Sequence, residues 1–124
     1  MKDMDTELNL TIDGKKNRLR IAKPTMRMIG EPSMVQLLYN PAERIILVRA
    51  AKEPMPGGQE LSIHLSKPGG DYEIYSSSFV RKIRASNPEM REMCSYRFHG
   101  EAVDKENLVL FPISTLEKID HAWG

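Results

Sequence analysis

Residues 8–21 read LNLTIDGKKNRLRI, and residues 61–74 read LSIHLSKPGGDYEI. In the first stretch Leu8, Leu10 and Ile12 alternate with polar residues, the period-2 pattern of a strand with one buried face. Asp13-Gly14 and two lysines make a hairpin-like turn, after which Leu19 and Ile21 resume the alternation. In the second stretch Leu61, Ile63 and Leu65 alternate, Lys67-Pro68-Gly69-Gly70 supplies the turn, and Tyr72 and Ile74 follow. Five apolar positions recur at a constant offset of 53 residues. Composition alone does not produce that register, so the chain reads as an internal repeat.

The segments after the two hairpins also correspond. Pro24 suits the first turn of a short helix, where a missing N–H does no harm, and Gly30 can close that helix in a left-handed conformation. Ser76 to Ser78 offer an N-cap for a second helix carrying Phe79, Val80 and Ile83. Asn87-Pro88 stops it, and residues 88–94 can add another helical turn. A further hairpin closes each half. Residues 34–39 and 45–49 flank Asn40-Pro41-Ala42-Glu43, and residues 95–99 and 107–111 flank a longer connection through Gly100 and Asp104. Residues 6–50 thus form one strand–strand–helix–strand–strand repeat and residues 59–113 a second. A lone hairpin is barely stable in water, so the halves are expected to pack about a pseudo-twofold axis as one domain, residues 1–124. In residues 114–124, Ser114 and Glu117 form a capping box, with Leu116, Ile119 and Trp123 at helical spacing. A short C-terminal amphipathic helix is expected there, with Trp123 as its packing anchor.

Bulk properties bound the function. The 124 residues are 40% hydrophobic and 28% charged with a formal charge of +1, the profile of an ordinary globular protein. No apolar run approaches the roughly 18 residues of a membrane span. The N-terminal MKDMDTELNL is acidic and lacks the apolar core of a secretory signal. Cys94 is the only cysteine, which rules out an intrachain disulfide and suits a reducing compartment. A cytoplasmic protein is expected. Near-neutrality confines any nucleic-acid binding to a local patch.

Such a patch is visible in residues 14–30, GKKNRLRIAKPTMRMIG, which hold Lys15, Lys16, Arg18, Arg20, Lys23 and Arg27 and no acid. Arg18 and Arg20 alternate with Leu19 and Ile21, so both point away from the core. Lys16 shares their parity and Lys15 lies in the turn. Lys23 and Arg27, four apart, line one side of the helix. Six cations converging without a carboxylate would suit phosphates; the other reading is a solvated strand and helix face. Arg81, Lys82 and Arg84 form a secondary basic face within the acid-free residues 74–88, where a plain charged helix face is the simpler reading.

The same stretch carries a resemblance. NRLRIAKPTMRMIG followed by SMVQLLYNPAERIILVRA resembles the AbrB/MazE/MraZ-type swapped-hairpin family, with two repeats per chain as in the MraZ-like arrangement. Asn17-Arg18 stands at the Gly-Arg opening, Ile21 at the Ile of Ile-Pro, Arg27 at a helix Arg, and Ile29-Gly30 at Leu-Gly. Glu43-Arg44-Ile45-Ile46-Leu47 resembles the last hairpin, while Ala22 replaces the Pro of Ile-Pro. The resemblance implies a mainly β (α+β) fold in which the tandem repeats form a swapped-hairpin-like β-barrel. It implies a transcriptional regulator that binds double-stranded DNA through the first-repeat cations, as a homodimer or higher oligomer. The alternative is a swapped-hairpin interaction or assembly module that does not touch DNA.

Enzymatic readings find no footing. His64, His99 and His121 have no His or Cys partner at metal-ligand spacing, so no metal or cofactor is expected. Cys94 lacks a nucleophile signature and reads as a buried thiol. Ser76 to Ser78 lack the flanking glycines of a nucleophile elbow. Gly57-Gly58 and Gly69-Gly70 lack phosphate-loop spacing. Met26, Met28, Met34, Met90 and Met93 are expected to fill core space around the helices.

Overall fold

The computed structural model describes residues 8–32, 34–50, 59–62, 64–65, 72–103 and 107–119. The described chain begins with strands β1 (Asn9–Asp13) and β2 (Arg18–Ile21), helix α1 (Lys23–Met28), and strands β3 (Met34–Asn40) and β4 (Ile45–Ala50). Then come β5 (Gln59–Ser62), β6 (His64–Leu65), β7 (Tyr72–Tyr75), helix α2 (Ser77–Ser86), β8 (Ser95–His99), β9 (Glu101–Val103), β10 (Leu108–Pro112) and β11 (Glu117–Ile119). The fold is mainly β, with two antiparallel sheets and few short helices. One sheet has the order β11-β8-β1-β2-β7-β6 and the other β5-β3-β4-β10-β9. Among the described residues the strands form these two sheets and no closed barrel.

Local chemistry places most elements where their residues predict. The β1–β2 hairpin pairs Leu10 with Ile21 and Ile12 with Leu19, and all four side chains are fully buried. Pro24 sits in the first turn of α1, and Gly30 takes a φ of +90° just beyond its end. Thr25 locks α1 onto β1, its hydroxyl donating to Asn9 O at 3.3 Å and accepting from Asn9 N at 3.1 Å. Ser76 caps α2, accepting from Phe79 N at 3.3 Å. Phe79, Val80 and Ile83 pack inward, and one buried apolar cluster takes residues from both sheets and both halves.

Five expectations are corrected. The alternating run 59–65 is divided: β5 pairs with β3 in one sheet, and β6 pairs with β7 in the other. Strand 95–99 does not form a hairpin with 107–111. Instead β8 pairs with β1 and β11, and the hairpin partner of β10 is β9. The chain changes sheets at Gly100, whose N–H donates to Leu8 O at 2.8 Å. A Cβ on Gly100 would lie 2.6 Å from the Phe111 ring, so only glycine lets the backbone pass that close to the core.

The tail does not form the expected amphipathic helix between residues 114 and 119. A 3-10 turn, Ile113–Thr115, leads through extended Leu116 into β11. The Thr115 hydroxyl accepts from His99 N at 3.0 Å and is 2.7 Å from Pro112 O, while Glu117 meets His99 Nε2 at 2.7 Å. An isolated helix this short is marginal in water, whereas the edge of β8 offers unpaired backbone groups. Residues 120–124, with His121 and Trp123, lie outside the described residues. Residues 88–94 likewise form turns, not a helix. Met26 and Met90 fill the core, but Met28 and Met93 are exposed, and the Met34 side chain lies outside what is described.

Candidate nucleic-acid interface

Asp13, at the end of β1, builds the turn that carries the first two lysines. Its Oδ1 accepts from Lys15 N at 2.9 Å and Lys16 N at 3.4 Å, an Asx-type turn that leaves both side chains exposed. On one side this tip (residues 14–17) is held by Gly14 N donating to Cys94 O at 2.9 Å. A Cβ on Gly14 would come 2.2 Å from that same oxygen. On the other side Asn17, at φ +51°, accepts from Ser76 N at 3.2 Å through its carbonyl. Its side-chain oxygen accepts from Arg84 Nη2 at 3.2 Å. The tip is thereby wedged between the 91–94 segment and the start of α2.

That geometry redistributes the expected patch. Arg18 is only 7% exposed and Asp13 6%. Arg18 Nε meets Asp13 Oδ2 at 3.3 Å, its Nη1 meets Glu73 Oε2 at 3.0 Å, and the same Nη1 donates to Tyr75 Oη at 3.2 Å. Arg20 Nη2 shares Glu73 Oε2 at 3.2 Å. The expectation that six cations converge away from any carboxylate is therefore corrected: two of them are neutralised by Asp13 and Glu73. The sequence could not show this, because Glu73 is brought across by the β2–β7 register, Arg20 opposite Glu73 and Arg18 opposite Tyr75.

Lys23 and Arg27 stand elsewhere. β2 runs away from the tip, and α1 starts where Ala22 N donates to Asn9 O, at the opposite end of the hairpin from Lys15 and Lys16. Arg27 is exposed and Lys23 half-buried. In their place the tip gains α2 as neighbour. Arg81 and Lys82 are exposed on α2, and Arg84, half-buried, is anchored on Asn17. The surface that forms joins Lys15 and Lys16 of the hairpin tip to Arg84 of α2, with Arg81 one turn before it; Lys82, two positions from Arg84, lies on another side of the helix.

Two exposed side chains flank the tip, Tyr75 with no role assigned from the sequence and Met93 expected in the core. Tyr75, 58% exposed, follows Ile74 on β7 and so faces away from the core. Met93, 61% exposed with a φ of +67°, flanks the opposite side. His99 is half-buried against Glu117, and Cys94 is half-buried at the edge of the core; the side chain of His64 lies outside what is described. Among the described residues no group of three or more His, Cys, Asp and Glu is placed to hold a metal ion, and no helix is long and apolar enough to cross a membrane.

Compared with protein-family models, with curated proteins and with solved structures, the chain finds no match.

Proposed function

We propose that the protein is a two-repeat, swapped-hairpin-type regulator that binds DNA phosphates through the tip of its first hairpin and helix α2. The observation that carries this is the Asn17 junction, which places Lys15 and Lys16 beside Arg84 on a chain that is otherwise nearly neutral. Lysine and arginine neutralising phosphates release counterions, and that term dominates affinity for nucleic acid. The surface is assembled from an ordered turn and a helix, which fixes where the cations sit.

The repeat reading has support in the pairings. β2 pairs with β7 and β4 with β10, each strand with its counterpart. The β1–β8 pair is answered by β3–β5, and β1–β2 by β6–β7. Arg20 lies directly opposite Glu73, 53 residues away, the same offset that relates the repeats. A pseudo-twofold axis would pass through that pair. Two identical halves would set Arg against Arg there; the change to Glu in the second half turns a repulsion into an ion pair. A cytoplasmic location and a homodimeric or higher state belong to the same proposal.

A second reading, an assembly module that does not bind DNA, draws on a different observation. Leu38, Leu47 and Leu110 lie in one cross-strand row of the five-stranded sheet. They alternate with buried Leu37, Ile46, Val48, Val109 and Phe111, so they form a half-buried apolar face turned away from the core. Fluorescence anisotropy with labelled duplex DNA at two salt concentrations separates the readings. The proposal expects binding that falls steeply with salt and weakens in a Lys15→Ala/Lys16→Ala variant. Absence of binding at low salt removes it and leaves the assembly reading, which a calibrated sizing column then tests.

A further inference from the structure

The charge on the tip explains attraction to phosphates but not Tyr75. This side chain is the most exposed aromatic among the described residues, and it is also tightly held. Its hydroxyl accepts from Arg18 Nη1 at 3.2 Å and lies 3.5 Å from Glu73 Oε1. The Arg18 guanidinium carbon sits 6.0 Å from the ring centroid, a cation–π contact. Arg18 is in turn fixed by Asp13, the residue that shapes the lysine-bearing turn. The next residue after Tyr75, Ser76, is bonded through its N–H to Asn17 of the tip. A flat apolar surface is thus presented to solvent in one orientation, one residue from the contact that docks the basic tip.

We propose that Tyr75 is a stacking platform for an unpaired nucleobase, so that the site takes single-stranded nucleic acid or a locally opened duplex whose phosphates engage Lys15 and Lys16. The inference rests on the nucleic-acid reading above and adds to it the state of the bound strand. Phosphate contacts alone act on any strand, whereas a ring set beside a cationic track gains from bases free to leave their own stack. Within a closed duplex both faces of each base are occupied by neighbours, so the platform discriminates by accessibility and not by sequence. The Arg18 side chain supplies a rigid, charged backing to the ring, and Glu73 keeps that arginine in place.

The test is anisotropy titration of the full chain with a labelled thymidine oligonucleotide of roughly 12 nucleotides and, separately, a labelled duplex. Tyr75→Ala is expected to weaken oligonucleotide binding by about 5- to 150-fold, the range of one base–aromatic stack. Tyr75→Phe, which keeps the ring and loses the hydroxyl, is expected to stay close to the unaltered protein on the same probe. A cooperative thermal transition in Tyr75→Ala shows that the variant is folded, and its loss of affinity for the closed duplex should be smaller than its loss for the oligonucleotide. Equal oligonucleotide affinity in Tyr75→Ala and the unaltered chain, with loss in Lys15→Ala/Lys16→Ala, overturns the platform and leaves phosphate binding standing. Unchanged affinity for both probes in the lysine variant overturns the phosphate reading and the platform with it.

Discussion

Arg84 donates to the side-chain oxygen of Asn17 at 3.2 Å, tying the second helix to the tip of the first hairpin across 67 residues of chain. The bond joins two basic segments that are remote in sequence, and Asn17 is strained in making it, with φ at +51°. Asn17→Ala keeps the left-handed backbone and loses the bond, and should destabilise by about 1–2 kcal/mol in urea denaturation. Asn17→Gly relieves the strain, so its stability should stay close to that of the unaltered chain. Both variants should bind DNA more weakly, because Arg84 is no longer held beside Lys15 and Lys16.

The cations of the β1–β2 hairpin should separate into two classes by salt dependence. Replacing Lys15 or Lys16 by Ala should lower the slope of log affinity against log salt by about one unit each. Arg20→Gln should leave that slope nearly unchanged, because Glu73 already neutralises Arg20. An equal slope change for Arg20 and Lys15 would show that the ion pair opens on binding.

Glu73 holds two arginines in a largely buried setting. Removing one partner of a buried ion pair leaves an uncompensated charge, which costs about 3–5 kcal/mol in typical cases. Glu73→Gln should cost about 2 kcal/mol, less than that range because Arg18 retains Asp13 and Glu73 is partly exposed. Glu73→Arg, which sets like charge directly opposite Arg20, should be worse than Glu73→Gln in guanidinium titrations.

Gly14 and Gly100 should differ in tolerance. A Cβ at Gly14 meets a backbone oxygen at 2.2 Å, and one at Gly100 meets side chains of Phe111 and Val109 at 2.6 and 2.7 Å. Side chains can shift at a cost of about 1–3 kcal/mol; the Cys94 carbonyl can move only with the tip. Gly14→Ala should therefore lower the thermal midpoint more than Gly100→Ala, and should also weaken DNA binding.

Acid should act on the contact between the 41–44 turn and the 88–90 turn. The Glu89 carboxyl is held below its usual 4.5, first by a backbone hydrogen bond, which burial opposes, and then by the hydrogen bond and charge of Arg44. A carboxyl with a depressed folded value stabilises the fold above about pH 4.5, and that contribution is lost as pH falls through the folded value. The stability gap between the unaltered chain and Glu89→Gln should shrink as urea midpoints are followed from neutral pH into acid. The effect should be small, since both side chains are nearly half exposed.

Local pattern was enough to locate β1, β2, α1, β3, β4, β7 and α2, the Pro24 start, the Gly30 stop and the Ser76 cap. Each of these depends on residues within a few positions of one another: alternation, turn chemistry and capping. The same alternation ran on through 95–111 and could not show that the strand crosses between sheets at Gly100, since both sheets bury alternate residues. Spacing in the tail matched a helix, yet the open edge of β8 competed for the same backbone groups and took residues 117–119 as a strand.

The candidate site divides along the same line. That Arg18 and Arg20 leave the core face, and that Lys15 and Lys16 sit at the turn, was decided by the sequence alone, because side-chain parity along a strand and turn chemistry are local properties. Which of these charges remain available was decided only by the tertiary structure. The β2–β7 register brought Glu73 to Arg18 and Arg20, and the Asn17 junction brought Arg84 to the lysines. Charge is written residue by residue, but its neutralisation depends on which strands meet, and that is a property of the whole fold.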